Sequence, residues 1–130
     1  MDDNKKDKIL IIEDDEHISK IYNIKLKAEG MNVVFASDGI EGLEKVVSEN
    51  PSLIILDLMI PKKDGFEVLE EIKKMPDRRD IPVIVLSNLG QQSDIDRVMA
   101  LGAVDYLVKA NLSFQDVVVK IQEHCSGCVS

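Results

Sequence analysis

The sequence predicts an α/β fold in which a doubly wound, five-stranded parallel sheet carries helices on both faces. Apolar runs alternate with stretches whose apolar residues recur at helical spacing, and the connections between them are short. Leu53–Leu56 contains four consecutive branched apolar residues, and Ile81–Ser87 is a second, largely apolar run. Such runs are typical of strands buried on both faces, as in the centre of a parallel sheet.

Five strands and five helices follow from this pattern. The predicted strands are Lys8–Ile12, Asn32–Ala36, Leu53–Leu56, Ile81–Ser87 and Asp105–Val108. The predicted helices are His17–Glu29, one capped by Asp38 and ended by Asn50, one capped by Asp64, one within Gln91–Leu101 and one capped by Ser113. Because each right-handed crossover helix covers one face of the sheet, this order places helices on both faces.

Length and charge exclude several classes of protein. The 130 residues, 45% of them hydrophobic, suffice for one domain with an ordinary core. No apolar run reaches the ~18 residues of a membrane span, and residues 1–7 lack the apolar segment of a signal peptide. The net charge of −8 argues against nucleic-acid binding, which needs clustered Lys and Arg. We therefore expect a cytoplasmic protein with no membrane and no nucleic-acid partner.

Polar side chains follow four of the predicted strands. Glu13 and Asp14 come after the first strand, and Asp57 ends the third. Ser87 ends the fourth strand, and Lys109 ends the fifth. Because the carboxyl ends of parallel strands meet at one edge of the sheet, we expect these side chains to lie together where α/β proteins bind ligands.

This cluster has the composition of a phosphoryl-transfer site. Three neighbouring carboxylates raise one another's pKa values unless a cation neutralises them. An all-oxygen set with few protein ligands suits Mg²⁺, which keeps waters and phosphate oxygens around it. With Lys109 as a second positive charge, Asp57 is suited to attack phosphorus and Ser87 to bind a phosphoryl oxygen.

The same residues resemble the receiver domain of two-component response regulators, close to the single-domain chemotaxis type. The motifs are the acid pair Glu13–Asp14, Leu-Asp-Leu-Met-Ile-Pro around Asp57 with Asp64–Gly65 behind it, Ser87, and Gly-Ala-x-Asp-Tyr-Leu-x-Lys over Gly102–Lys109. The resemblance runs from Lys8 to about Glu123. It implies the flavodoxin-like (βα)5 receiver fold with strand order 2-1-3-4-5.

The resemblance also implies a phosphorelay. A histidine kinase or histidine phosphotransfer protein would donate its phosphoryl group to Asp57. Mg²⁺ would be bound by Asp14, by Glu13 through water, by Asp57 and by the backbone carbonyl of Met59.

The signal would leave this site through Ser87 and Tyr106. These two residues would switch the surface of the fourth helix, fifth strand and fifth helix for a downstream protein target. The resemblance does not decide whether phosphorylation also drives dimerisation. Such a domain is a signalling protein and not an enzyme, with at most slow autodephosphorylation.

Four positions bear on how closely the family pattern applies. Ala110 stands where the family commonly has a proline with a cis bond, so we expect a trans bond, or a strained cis one. Asn88 stands where a smaller residue is usual. Met59 and Leu89 would flank the phosphoryl group and position no attacking water, which predicts a long-lived phosphoaspartate.

Three other interpretations stay open. A haloacid-dehalogenase-type phosphatase also uses a strand-end aspartate, but Met59 stands where that family has its second one. A flavodoxin-like cofactor binder needs a phosphate loop rich in Gly, Ser or Thr, and this chain has Glu13–Glu16 there. A receiver-like interaction module not regulated by phosphorylation would have no need of Asp57, Ser87 and Lys109.

The ends of the chain are expected to lie outside the fold. We predict a disordered extension over residues 1–7, the receiver domain over 8–123 and a tail over 124–130. Cys125 and Cys128 form a Cys-x-x-Cys beside His124. Because these three candidate ligands have no framework after them, we expect a frayed tail in preference to a redox or zinc motif.

Overall fold

The computed structural model describes residues 7–128 and shows a parallel sheet of five strands. The strands are β1 (Lys8–Ile12), β2 (Asn32–Ala36), β3 (Leu53–Leu56), β4 (Val83–Ser87) and β5 (Asp105–Val108). Their order in the sheet is β2-β1-β3-β4-β5, and all four pairings are parallel. The predicted fold class and strand order are therefore confirmed.

Over residues 7–128, five α-helices connect and cover the strands. They are α1 (Glu16–Ala28), α2 (Gly39–Glu49), α3 (Gly65–Lys74), α4 (Gln92–Ala100) and α5 (Phe114–His124). Two short 3₁₀ turns, Lys109–Asn111 and Ser126–Cys128, follow β5 and α5. Within residues 7–128, no helix combines the length and apolar character needed to cross a bilayer.

The core consists of two apolar layers, one on each face of the sheet. Alternate residues of β1 point to opposite faces, so that Leu10 and Ile12 pack with α2, α3 and α4, and Ile9 and Ile11 pack with α1 and α5. All four of these side chains are at most 2% exposed. Fully burying such a side chain contributes about 1.5–3 kcal/mol. This double burial accounts for the unbroken apolar strands in the sequence.

The predicted element bounds agree with the structure except at a few ends. Strand β4 begins at Val83 and not at Ile81, because Pro82 has no N–H to donate to the ladder. The predicted cap at Asp64 is a complete capping box with Glu67. At α2, Asp38 accepts from the Glu41 N–H at 2.7 Å, but the Glu41 carboxylate bonds to Ser37 and not to Asp38.

The C-terminal segment is packed and not frayed over its described residues. Helix α5 continues through His124, and the following turn carries a Cys125–Cys128 disulfide. Both cysteines are buried in the layer formed with α1 and α5. The expected extension falls outside the described residues over positions 1–6, and the expected tail does so at positions 129–130.

Candidate functional site

The carboxyl edge of the sheet brings the predicted acids and the predicted lysine together. One carboxylate oxygen from each of Glu13, Asp14 and Asp57 lies within 4.8 Å of the others. The Lys109 Nζ donates to Glu13 Oε1 at 2.5 Å and to Asp57 Oδ2 at 2.8 Å. These contacts join residues that are 96 and 52 positions apart in the chain.

Backbone hydrogen bonds fix the two buried acids just beyond their strands. The Glu13 N–H donates to the Ala36 carbonyl at 2.9 Å, and the Asp57 N–H donates to the Ile12 carbonyl at 3.1 Å. The ladder thus continues one residue past β1 and β3. The side chains of Glu13 and Asp57 therefore project from a rigid sheet edge and not from a loose loop.

Lys109 is positioned by the turn that follows β5. It opens the 3₁₀ turn Lys109–Asn111, and no peptide bond among residues 7–128 is cis. The Lys109–Ala110 bond is thus trans, the first of the two expected alternatives, because a cis bond at a residue other than proline costs ~3 kcal/mol. The trans bond still lets the ammonium reach both buried acids.

The cluster holds more negative charge than its own cation neutralises. The side chains of Glu13 and Asp57 are only 5% and 8% exposed, and that of Lys109 is 15% exposed. Asp14 is exposed at the rim. One ammonium therefore stands against three carboxylates, two of which have little access to water.

The pKa directions of the cluster reflect this imbalance. Burial raises the pKa of Glu13, and the nearby Asp57 adds to the rise, although the hydrogen bond from Lys109 opposes it. Burial also acts to lower the pKa of Lys109, but its hydrogen bonds to Asp57 and Glu13 outweigh burial and raise it. Lys109 is therefore stabilised as the ammonium. Burial destabilises the charged form of Glu13, and a further cation would stabilise that form.

Asp57 is oriented from two sides. Its Oδ1 accepts from the Met59 N–H at 3.0 Å, and its Oδ2 accepts from Lys109. The loop beyond it is held by α3, because the Gly65 N–H donates to the Leu58 carbonyl at 3.0 Å. A Cβ at Gly65 would come within 2.6 Å of the Asp57 carbonyl oxygen. The Asp64–Gly65 motif thus has a steric reason for its glycine.

Ser87 and Tyr106 both contact the residue Leu89 in the loop after β4. Ser87 is fully buried, and its Oγ accepts a long, 3.4 Å hydrogen bond from the Leu89 N–H. The Tyr106 hydroxyl donates to the Leu89 carbonyl, and burial raises its pKa. The sequence indicated both side chains but not this link, because a backbone carbonyl leaves no signal in a sequence.

Asp38 is a further site neighbour that the sequence indicated only as a helix cap. Its Oδ2 lies 3.4 Å from the Lys62 Nζ, and Lys62 has a φ of 72° in the loop after Asp57. The Gly39 N–H donates to the Pro61 carbonyl of the same loop at 3.2 Å. The start of α2 is therefore tied to the loop that follows Asp57.

A family model agrees with this geometry. The response regulator receiver domain model matches residues 9–122. The chain belongs to this family. The receiver domain therefore spans nearly the whole fold described above, including every residue of the strand-end cluster.

Two curated relatives match most of this receiver domain. It is 45% identical over 102 residues to the DNA-binding dual master transcriptional regulator RpaA of Synechocystis, which is 78% of this chain and 42% of the relative. It is 42% identical over 104 residues to the probable transcriptional regulator ycf27 of Porphyridium aerugineum, which is 80% of this chain and 42% of the relative. The chain thus spans less than half the length of these relatives.

Solved structures share the fold. The Mn²⁺-bound response regulator Rcp1 has a TM-score of 0.77 and 33% identity, and the match covers 90% of each chain. The BeF3-activated receiver domain of Klebsiella pneumoniae RstA has a TM-score of 0.84 and 25% identity, covering 91% of this chain and 97% of that one. Receiver domains pair with histidine kinases and generally bind Mg²⁺.

The residues of this chain fit such a divalent ion. Glu13, Asp14 and Asp57 offer an all-oxygen donor set within 4.8 Å, with one acid at the solvent rim. Mg²⁺ is held in this way, through a few carboxylates with the remaining positions left to water and phosphate. A divalent cation would also neutralise the excess negative charge around Lys109.

Proposed function

We propose that this receiver domain accepts a phosphoryl group on Asp57 from the phosphohistidine of a histidine kinase or histidine phosphotransfer protein. The observation that carries the proposal is a buried carboxylate that two donors orient beside two further acids and one ammonium. A strand-end Asp with a purely structural role would be expected to cap the next helix. That helix, α3, is capped by Asp64, so Asp57 does not have this role.

The transfer would use the chain's own groups as follows. One carboxylate oxygen of Asp57 attacks phosphorus, and the phosphorus–nitrogen bond of the donor breaks with its electron pair going to the imidazole. Lys109, already 2.8 Å from Asp57 Oδ2, provides positive charge next to the incoming phosphoryl oxygens. Ser87 Oγ, at the end of the neighbouring strand β4, would bond one of them.

We also propose that Glu13, Asp14, Asp57 and the backbone carbonyl of Met59 hold Mg²⁺. Its chemistry would be to neutralise charge on the phosphoryl oxygens. The support is the acidic, all-oxygen donor set and the excess of carboxylates over ammonium groups.

The output of the domain would pass through Leu89. If Ser87 turns toward a phosphoryl oxygen, its Oγ leaves the Leu89 N–H, and the Tyr106 hydroxyl follows the Leu89 carbonyl. The loop joins β4 to α4, and Tyr106 lies in β5, so the surface of α4, β5 and α5 would change. A downstream protein that binds this surface is the proposed target.

The phosphoaspartate is proposed to be long-lived. The Met59 side chain is 59% exposed beside Asp57, and Leu89 is half-buried after Ser87. Neither side chain can orient an attacking water by hydrogen bonding. The slow autodephosphorylation can be checked by following the phosphorylated mass over time with Mg²⁺ present, and a lifetime of seconds would contradict it.

We propose that the residues of this chain bind protein partners and not DNA. RpaA is named as DNA-binding, but the match covers 42% of it, and this chain has a net charge of −8. If the chain is part of a longer regulator, the output would pass from the α4, β5 and α5 surface to the remaining segments.

The first experiment is intact-mass measurement after incubation with acetyl phosphate, with Mg²⁺ or with a chelator. We expect a single phosphoryl adduct that requires Mg²⁺, is absent from Asp57→Asn and is retained by the exposed control Asp77→Asn. An adduct on Asp57→Asn would place the phosphoryl group elsewhere. No adduct on the wild-type chain would favour an interaction module not regulated by phosphorylation.

A further inference from the structure

A cluster of two sulfurs and a carboxylate lies at the amino edge of the sheet, opposite Asp57. Asp7 immediately precedes β1, and Cys125 and Cys128 follow α5. A carboxylate oxygen of Asp7 and both sulfurs lie within 4.8 Å of one another. The cysteines are 8% and 4% exposed. The sequence offered three candidate ligands in this segment, and the structure adds Asp7 from the other end of the chain.

His124, the third candidate from the sequence, does not join this cluster. Its Nε2 lies 3.4 Å from Asp105 Oδ2, on the side where Lys120 also contacts Asp105. The donor set is therefore two cysteine sulfurs and one carboxylate.

The Asp7 carboxylate lies directly on the turn that joins the cysteines. The Cys128 N–H donates to the Cys125 carbonyl at 3.1 Å, which closes the turn. A Cβ at Gly127 would come 1.9 Å from Asp7 Oδ2, so only glycine permits this approach. The disulfide alone joins Cys125 to Cys128 and does not require Asp7. The carboxylate is thus a separate component of the cluster.

The position of this Cys-x-x-Cys disfavours a thiol oxidoreductase. Reactive thiolates are stabilised at helix N-termini or beside cations. These cysteines lie instead at the C-terminal end of α5, where the helix dipole is negative, and beside a carboxylate. The same negative groups would attract a divalent cation, so the position that disfavours a free thiolate favours a metal-bound one.

We propose that the dithiol form of the chain binds Zn²⁺ through Cys125 Sγ, Cys128 Sγ and the Asp7 carboxylate, with water as the fourth ligand. Thiolates are soft ligands that select zinc over magnesium. The Cys125 Sγ to Asp7 Oδ2 distance is 4.0 Å. Two ligands of a tetrahedral zinc ion lie about 3.6 Å apart for one sulfur and one oxygen, close to this distance. The two sulfurs, joined in the disulfide, would separate on reduction to the roughly 3.8 Å that two zinc-bound thiolates need. Binding would release the two thiol protons.

The disulfide of the structure and the zinc complex would exclude each other. A two-electron oxidant such as hydrogen peroxide takes one electron from each thiolate, the sulfur–sulfur bond forms, and the peroxide leaves as two hydroxide ions. Zinc then loses both sulfur ligands and is released. The contact between the residue before β1 and the turn after α5 would therefore depend on redox state and zinc supply.

The test compares the full chain in its dithiol and disulfide forms, with Mg²⁺ in excess to occupy the Asp57 site. Zinc stoichiometry and affinity are measured by native mass spectrometry and by competition with a chromophoric chelator. Co²⁺ replacement adds a sulfur-to-cobalt charge-transfer absorption, which reports thiolate ligation directly. We expect one zinc per dithiol chain and none per disulfide chain.

Variants separate the ligands. Asp7→Asn removes the carboxylate charge and should weaken zinc by at least about tenfold, because even indirect metal contacts are worth that much. The double variant Cys125→Ser, Cys128→Ser should abolish the charge-transfer band, and the exposed control Asp77→Asn should change nothing. Gly127→Ala would push the Asp7 carboxylate off the turn and should weaken zinc without removing any ligand.

The possible results decide the proposal. A dithiol chain that binds no zinc would overturn it, as would a charge-transfer band that survives in the double variant Cys125→Ser, Cys128→Ser. Equal zinc affinity in wild type, Asp7→Asn and Gly127→Ala would remove Asp7 from the site and overturn the three-ligand assignment. Circular dichroism of each variant shows whether the fold is retained, and Gly127→Ala keeps the test decisive if Asp7→Asn unfolds.

Discussion

The two edges of the sheet balance their charges in opposite ways. At the carboxyl edge, Glu13 and Asp57 share the single ammonium of Lys109. At the amino edge, Asp105 alone contacts both Lys120 at 3.2 Å and His124 at 3.4 Å. The carboxyl-edge cluster has one ammonium for three carboxylates. The Asp105 cluster has two potential cations for two acids, because Lys120 also contacts Glu123 at 3.3 Å.

The pKa directions at the two edges differ accordingly. Burial raises the pKa of Glu13 despite its bond to Lys109. Burial also acts to raise the pKa of Asp105, but hydrogen bonds from Lys120, His124 and the Tyr106 N–H outweigh it and lower the pKa. An unbalanced, buried cluster is the usual property of a site that awaits a ligand, and a balanced one stabilises the fold. The following predictions test this difference.

Removing the cation from each edge should produce the largest contrast. Lys109→Met leaves two buried carboxylates without their partner and should cost about 3–5 kcal/mol of unfolding free energy without Mg²⁺. Lys120→Met should change stability far less, because water reaches Asp105. Urea unfolding of both variants measures this difference.

Mg²⁺ provides the internal control for that comparison. Added Mg²⁺ should recover part of the stability of Lys109→Met and none of the smaller loss in Lys120→Met. Equal losses in the two variants would show that the carboxyl edge is not short of cations.

Neutralising Glu13 should stabilise the metal-free protein at neutral pH. The raised pKa of Glu13 means that its contribution to stability is present below pH 4.5 and is lost as pH rises through the folded-state pKa. Glu13→Gln should therefore be more stable than the wild type at pH 7, and the gain should vanish below pH 4.5.

Thermal unfolding at pH 4 and pH 7 without divalent ions tests the Glu13 prediction. With Mg²⁺ present the sign should change, because the variant has one acid fewer for the ion. A variant less stable than wild type at pH 7 without metal would show that the pairing with Lys109 outweighs the burial of Glu13.

The sequence was sufficient for the sheet and for the cluster at its carboxyl edge. Unbroken apolar runs such as Leu53–Leu56 can only be buried on both faces, and a parallel sheet then places all strand ends at one edge. That argument brings Asp57 and Lys109 together without any coordinates. The family model and the strand order agree with it.

Contacts that depend on backbone atoms or on side-chain reach could not be predicted. The Leu89 carbonyl accepts the hydrogen bond from the Tyr106 hydroxyl. Because every residue has a backbone carbonyl, the sequence could not indicate which one is the acceptor. Glu41 bonds Ser37 and not Asp38, because several nearby N–H groups compete for one carboxylate. Asp7 and Cys125 are 118 positions apart, and only the fold brings them together.

Neutralising Asp105 should have the opposite pH dependence to neutralising Glu13. The lowered pKa of Asp105 means that its contribution is present above pH 3.8 and is lost as pH falls through the folded-state pKa. Asp105→Asn should therefore cost about 1 kcal/mol or less at pH 7, and the cost should disappear in strong acid. Asp77→Asn, at an exposed position, is the matched control. A loss that persists unchanged at pH 2 would assign the effect to the hydrogen bond from the Tyr106 N–H and not to charge.

The smallest expected effect tests whether the loop between β4 and α4 is held by a single hydroxyl. Tyr106→Phe removes only the donor to the Leu89 carbonyl and should cost about 0.5–1 kcal/mol. Its effect should be local, as faster amide hydrogen exchange over residues 88–91, while acetyl phosphate still modifies Asp57. Tyr22→Phe is the matched control, because the Tyr22 ring packs 5.8 Å from Phe114, on the opposite face of the sheet from Tyr106. Unchanged exchange in Tyr106→Phe would show that Ser87 and apolar packing hold the loop. The proposed route through Leu89 would then not include Tyr106.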